Sequence, residues 1–326
     1  MAKPTLSVVM PNYNHAQYLR KALTALADRD RPPDELIVID DGSTDNSWEI
    51  IQEFASKYPF IRAYVNEKNM GVVPTVDKAL HLATGDYICG AAADDYVLPG
   101  FIEKTMSLLE KHPEAGLCCT VGDWRELHTG LNWHMGAGMT DKPAYLSPER
   151  MMDLERRGKL FIAGHTVAVR RSALFEAGRF PTAAKYGSDW FTYNLIGFRY
   201  GICVVPEVLA VNQIDATTSY NKGRRDKASD LKVMRDMLDL LERSPYPDAV
   251  ERMRKCGALY VWGWPMLKVL VTHSEYRHYL TPLFLRKNLW HITKLLLKRT
   301  LPAPVTNFLA GLAGYRVKAS SASKRG

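Results

Sequence analysis

Two pairs of adjacent carboxylates dominate the chemistry open to this chain: Asp40-Asp41, after the apolar run LIVI, and Asp94-Asp95, after YICGAAA. Neighbouring carboxylates repel unless a cation or hydrogen-bond donors compensate, and a hard divalent cation with oxygen ligands is the natural compensator. Magnesium or manganese usually reaches a protein through one or two carboxylates and completes its shell with substrate phosphates, so the pattern points to a diphosphate-bearing substrate. One such pair alone would read equally well as a helix cap or a turn; two pairs, both at predicted strand ends, are harder to read as structure alone. The same loops contain no GxGxxG and no GxxxxGK[ST], so a dehydrogenase or a P-loop nucleoside-triphosphatase lacks its phosphate cradle. The five cysteines (Cys89, Cys118, Cys119, Cys203, Cys256) are odd in number, sit mostly in apolar runs and show no zinc spacing. They read as reduced, non-catalytic thiols of a cytosolic protein.

The elements that must position these acids follow from periodicity. Strands are predicted at Leu6 to Met10, Leu36 to Ile39, Ile61 to Val65, Tyr87 to Cys89 and Leu117 to Val121. Between them, Leu19, Ala22, Leu23 and Leu26 repeat at helical spacing, as do Ile51, Phe54, Ala55 and Tyr58, and then Val76, Ala79, Leu80 and Ala83. Alternating strands and amphipathic helices predict βαβ units and a mostly parallel sheet. Ser43 or Thr44 is expected to cap the second helix, Pro74 to sit in the first turn of the third, and Gly85 to end it. In such a sheet, ligands meet the loops after the strands' C-terminal ends, here PNYN, DDGSTDNS and AAADD. Beyond Gly122 the alternation weakens, and Asp123 to Tyr145 reads as a long substrate-facing loop. A helix near Pro148 to Arg157, a strand near Thr166 to Val169, a short helix at Ser172 to Ala177, a helix opened by YGSDW and two strands, ICVVP and EVLAV, follow. Helices then dominate, with Met234, Met237, Leu238 and Leu241 on one face.

These segments resemble a known family. VVMPNYN, ELIVIDDGSTDNSWEII, NMG, TGDYICGAAADDYVLPG and YGSDWF, in this order across residues 5–213, are similar to the inverting glycosyltransferases of family 2 with the GT-A fold. The resemblance implies an α/β GT-A architecture: a Rossmann-like nucleotide-sugar-binding part over 1–122, an acceptor-binding part over 123–220, and a helical basic extension over 221–326. It also implies roles. Pro11 and Tyr13 would lie at the nucleotide base, Asp41 would hydrogen-bond base or ribose with Asp40 beside it, and Asp94 would lie near ribose or metal. Asp95 would ligate Mg2+ or Mn2+, and Asp189 of YGSDW would be the general base that deprotonates the acceptor hydroxyl. This chain departs from the family pattern by placing Ala91, Ala92 and Ala93 before Asp94, and VVPTVDKAL after the NMG turn. It also lacks the QxxRW of processive synthases.

The whole chain has 326 residues and a formal charge of +8, yet its charge is divided. From Arg252 onward there are 14 Lys and Arg against one acid, Glu275, so the preceding part is net acidic. A basic tail on an acidic body argues for a local anionic partner and against a nucleic-acid footprint over the chain. Leu285, Leu289, Ile292 and Leu296 form an apolar stripe with Trp290 alongside and Arg286, Lys287, Lys294, Lys298 and Arg299 around it, a pattern suited to an anionic membrane interface. With no apolar leader and no run long enough to span a bilayer, the expected place is cytoplasmic, peripheral at the inner face of the cell membrane. The expected activity is transfer of a single sugar from a nucleotide-diphospho-sugar to a glycan or lipid-linked acceptor in surface polysaccharide assembly. A nucleotidyltransferase and a catalytically silent sugar-nucleotide-binding scaffold are the rivals. His165 reads as a structural histidine and Trp190 as core, while Trp124, Trp133 and His134 stand between acceptor contact and packing.

Overall fold

The structure, a computed structural model, describes residues 3–128, 130–214 and 227–300. Strands β1 (Leu6–Asn12), β2 (Glu35–Asp40), β3 (Ile61–Val65) and β4 (Tyr87–Gly90) are parallel, joined by α1 (Ala16–Ala27), α2 (Ser47–Lys57) and α3 (Val72–Leu82). β1 and β2 are almost wholly buried, as apolar runs covered by helices on both faces must be. β1 lies between β2 and β4, so the chain crosses over in opposite directions on its two sides. That switch opens a crevice at the strands' C-terminal ends. Pro11 fits there because β4 pairs only as far as Val9, leaving no ladder partner for the N–H that proline lacks.

The sheet continues through β9 (Val167–Arg170), which is antiparallel to both β4 and β6 (Leu117–Glu126), and then β10 (Ile202–Ile214) and β5 (Tyr96–Val97). The two strands expected at ICVVP and EVLAV are one strand, whose register shifts between Val205 and Val208 absorb Pro206 in a bulge. The loop expected from Asp123 to Tyr145 is also corrected. β6 runs on to Glu126 and turns back as β7 (Asn132–Met135), pairing Trp124 with Trp133, and β8 (Ala144–Leu146) then joins β10. Two termini differ from expectation as well. Asn46 occupies the cap position of α2 while Ser43 bonds Asp40, and Gly85 serves close packing, since a Cβ there would lie 2.6 Å from Ser7 Oγ.

One sheet face is covered by α1, α2 and α4 (Phe101–Lys111), with Leu19, Leu23, Ile51 and Met106 buried between. The opposite face carries α3, α5 (Pro148–Arg156), α6 (Arg171–Glu176) and α7 (Ser188–Tyr200). The helices α8 (Lys227–Glu242), α9 (Pro247–Cys256), α10 (Gly263–Thr272) and α11 (Pro282–Thr300) share that same core: Met237, Met253, Met266 and Phe284 are buried in one cluster with Phe191 and Phe198. Each such side chain contributes roughly 1.5–3 kcal/mol by leaving water. α11 docks through Phe284, Lys287 and Asn288 and leaves Leu285 (45%), Leu289 (67%) and Trp290 (59%) exposed.

Lys287 is therefore not part of the exposed basic face expected from the stripe. Its ammonium reaches the buried Glu155 carboxylate at 2.5 Å and lies 4.0 Å over the Tyr260 ring. Burial pushes Glu155 up to about 7 against the pull of Lys287. The side chains of Ile292, Leu296, Lys294, Lys298 and Arg299 lie outside the described residues, as do 215–226, across which the expected boundary at 220/221 falls, and everything after 300. Among the described residues no helix is long and apolar enough to cross a membrane.

Candidate active site

The loops after β1 and β2 are stitched together by short polar side chains. Asn14, at φ 55°, accepts from Thr44 N at 2.7 Å, and Asp45 accepts from Ala16 N at 3.0 Å. Asparagine tolerates this left-handed backbone better than most residues. Tyr13, between these contacts, is 41% exposed and offers an open ring at the crevice.

Asp40 and Asp41 are buried, and their oxygens are engaged within the protein. Asp40 accepts from Asn12 Nδ2 at 2.7 Å and from Ser43 Oγ and N. Asp41 accepts from Asn66 Nδ2 at 2.8 Å, Met70 N at 2.9 Å and Gly71 N at 2.8 Å, which fixes the NMG turn beside it. Burial pushes the Asp41 carboxyl up, but this set of donors outweighs it and holds the group below its ordinary value. Gly71 sits at φ 90° and Gly42 at φ 72°, with a Cβ at Gly42 only 3.0 Å from Lys68 backbone, so both turns need glycine.

The second acidic pair lies above β4. Asp95 is buried and accepts from Asn212 Nδ2 at 2.9 Å and Gln213 N at 2.8 Å, while Gln213 Nε2 donates to the Asp94 carbonyl. Burial, and then the adjacent Asp94 charge, push Asp95 up to about 8 against those donors. Asn212 and Gln213 sit at the end of β10 and were invisible as functional residues in the sequence, because 117 or more residues separate them from the carboxylate they hold. Among the described residues no three His, Cys, Asp or Glu side chains gather into a metal cage. The pair nevertheless suits a cation that takes most of its shell from substrate. The Asp94 carboxylate has no protein donor among the described residues, and Asp95 is held in a setting that penalises its charge unless a cation relieves it.

Asp189 opens α7 and accepts from Trp190 N at 2.7 Å. It is open to solvent on one side yet ringed by protein, and this desolvation raises its carboxyl above the ordinary value against the backbone donors. The ring includes Gly164, where a Cβ would lie 2.3 Å from Asp189 Oδ2. The next residue, His165, lines a cleft with Asp95, Ala91, Ala92 and Tyr96. One short segment thus lies against the base candidate and lines the same cleft as Asp95. Gly122 leaves room for His165, its Cβ position being 2.6 Å from Nε2, and Trp124 lies 6.2 Å from the imidazole between centroids. His165 Nε2 and Trp124 Nε1 are buried without a partner among the described residues, and burial lowers His165 to about 4, so the ring is neutral. Trp190 packs edge-on against Trp262 of the C-terminal helices at 5.3 Å, consistent with core.

The five thiols are buried and free, with Cys89 pushed up to about 12 by burial, which leaves no thiolate nucleophile here.

Comparison with known proteins bears on this geometry. A family model described as glycosyl transferase family 2 matches residues 7–177. An uncharacterized protein of Mycobacterium tuberculosis is 36% identical over 230 residues, 68% of this chain and 62% of that one. The uncharacterized glycosyltransferase YibD of Escherichia coli is 35% identical over 129 residues, 39% of this chain and 37% of that one. The chain therefore spans less than two thirds of these relatives' length. Among solved structures, residues 1–349 of TarS from S. aureus, in complex with UDP-GlcNAc, superpose with a TM-score of 0.61 at 17% identity, covering 82% of this chain and 73% of that one. That likeness carries the fold.

Proposed function

The chain belongs to glycosyl transferase family 2, and from that premise we propose that it moves one sugar from a nucleotide-diphospho-sugar to a hydroxyl of a glycan or lipid-linked acceptor, with inversion. The observation that carries the reading is the segment Gly164-His165, which abuts Asp189 on one side and lines the Asp95 cleft on the other. A diphosphate at the acidic pair and an acceptor at Asp189 would then face each other across one sugar ring. The TarS neighbour was solved with UDP-GlcNAc, which supports a nucleotide-sugar donor for this fold.

In this mechanism Tyr13 stacks on the nucleotide base, with Pro11 beside it. Asp40 and Asp41 act on the nucleotide by building the two turns that surround it. Asp94 and Asp95 hold a divalent cation with the diphosphate, and the cation, when bound, offsets charge developing on the leaving β-phosphate. Asp189 accepts the proton of the attacking hydroxyl; its raised pKa brings it closer to the operating pH and makes it a better base than an ordinary carboxylate. A single displacement from the face opposite the leaving group inverts the anomeric centre. The domain limits at 122 and 220, the role in surface polysaccharide and the peripheral membrane location belong to the same proposal. The exposed Leu285, Leu289 and Trp290 support the last of these.

The test is incubation with a panel of nucleotide-sugars and manganese, reading the released product. Nucleoside diphosphate is expected. Pyrophosphate would instead identify a nucleotidyltransferase, and absence of any turnover with thermal stabilisation by nucleoside diphosphates retained would leave a silent sugar-nucleotide-binding scaffold.

A further inference from the structure

Outside the catalytic crevice, the C-terminal helices carry a second concave site. A groove of about 250 Å³ lies between α8 and α10, lined by Leu231, Lys232, Arg235, Lys268, Thr272 and His273. Three of its lining side chains, Lys232, Arg235 and Lys268, are cationic. Lys232 is paired with Asp236 at 2.5 Å, but Arg235 and Lys268 are exposed and have no carboxylate partner among the described residues. His273 Nδ1 lies 2.9 Å from Thr272 Oγ1, which fixes the ring while the hydroxyl donates back to the Lys268 carbonyl. The groove itself is largely apolar and the cations stand at its rim, an arrangement that would meet an anionic group at the mouth and an apolar group within.

A second observation says which anion. Along α10, Trp264, Lys268 and Val271 fall at i, i+4 and i+7, on one helical face. Trp264 is 64% exposed and Val271 52% exposed, although both are costly to leave in water, and Lys268 stands between them on the rim of the groove. A tryptophan and a valine flanking a lysine suit the headgroup region of a bilayer, where an indole and an aliphatic side chain enter the acyl boundary and cations meet phosphates. A soluble phosphate would use the cations and leave the apolar stripe unexplained.

We propose that the cationic rim of the groove between α8 and α10 holds the phosphate of an anionic membrane lipid, with Trp264 and Val271 entering the interface beside it. This deepens the membrane location put forward above and rests on it, but it assigns the contact to a folded site upstream of α11 rather than to the basic tail.

The experiment uses the full chain in co-sedimentation with vesicles of phosphatidylcholine alone or with phosphatidylglycerol, at low salt. Wild type should bind the anionic vesicles and not the neutral ones. Replacing Arg235 and Lys268 with Gln removes two cations at about fivefold each, so binding should fall about thirtyfold. Trp264→Ser should weaken binding as well, and all variants should keep the wild-type melting temperature and nucleoside diphosphate release, since these residues are exposed and lie outside the crevice. If the groove variants bind as wild type does while Leu289→Glu on α11 releases the protein, the groove proposal is overturned and the tail reading stands. If wild type ignores anionic vesicles altogether, the membrane reading itself fails. Stabilisation by inorganic phosphate equal to that by anionic vesicles, with Trp264→Ser indistinguishable from wild type, would make the groove a site for soluble phosphate and overturn the lipid assignment.

Discussion

Asp189 and His165 are one residue's width apart through Gly164, and their environments push their protonation in ways that separate their tasks. Asp189→Asn keeps the shape and removes the proposed base, so turnover should drop by about two to four orders of magnitude while nucleoside diphosphate binding stays intact. Because enclosure raises Asp189 above the ordinary carboxylate value, wild-type turnover should still be climbing with pH above the range where a free aspartate is already ionised. A pH profile flat from 4.5 upward would remove Asp189 from that role. His165 supports a stability prediction of definite sign. In the unfolded chain it takes up a proton near pH 6.5, whereas in the folded protein it stays neutral down to about 4. The stability tied to neutral His165 is thus whole above about pH 6.5 and is lost as pH falls toward 4, by up to about 3 kcal/mol. His165→Gln should lose less stability than wild type between pH 7 and pH 5 in urea titrations; equal losses would mean that the imidazole is not held neutral.

Individual elements are positioned by contacts between distant parts of the chain. Trp262, in the turn before α10, fills the space above Gly187, where a Cβ would lie 2.6 Å from the indole. Tyr186 and Trp190 flank the same indole at 5.9 and 5.3 Å. The YGSDW motif is therefore supported from the helical region rather than from the sheet alone. Gly187 has an ordinary negative φ of −105°, so Gly187→Ala strains packing and not backbone. Its expected cost is about 1–3 kcal/mol, with turnover reduced as Asp189 shifts. Adding Trp262→Leu should recover part of the loss, which a double-mutant cycle by thermal or urea unfolding will read as a favourable coupling. Additive losses would show that Trp262 does not hold the motif. The β6–β7 hairpin makes the same point for recognition: the cross-strand Trp124–Trp133 pair, at 6.0 Å, brings an aromatic surface to His165 from a stretch with little sequence periodicity.

Across the whole molecule, the acidic crevice and the basic helices are separate in sequence but joined by one core. α11 turns Lys287 inward to Glu155 and turns Leu285 and Leu289 outward, so this part of the apolar stripe is not buried among the described residues. Leu285→Glu with Leu289→Glu should change stability by about 0.5 kcal/mol or less, as exposed substitutions do, and leave nucleoside diphosphate binding unchanged, while lowering sedimentation with anionic vesicles. A large fall in melting temperature would mean that the stripe is covered in the folded protein. The first four strands, the three crossover helices and the strand-end acids were legible from residue types alone, because burial on both faces demands apolar runs and binding groups collect where those runs end. The family was legible too, through the order and spacing of its motifs. What needed the tertiary structure was every relation across the chain. Asn212 and Gln213 hold Asp95, Gly164 clears space for Asp189, Lys287 is buried rather than exposed, and Asp40 and Asp41 spend their oxygens on turns. None of these has a local signature, since a glycine, an asparagine or a lysine takes its role from what the fold places against it. Periodicity reports which face of an element is apolar, whereas only the packed chain decides what that face meets.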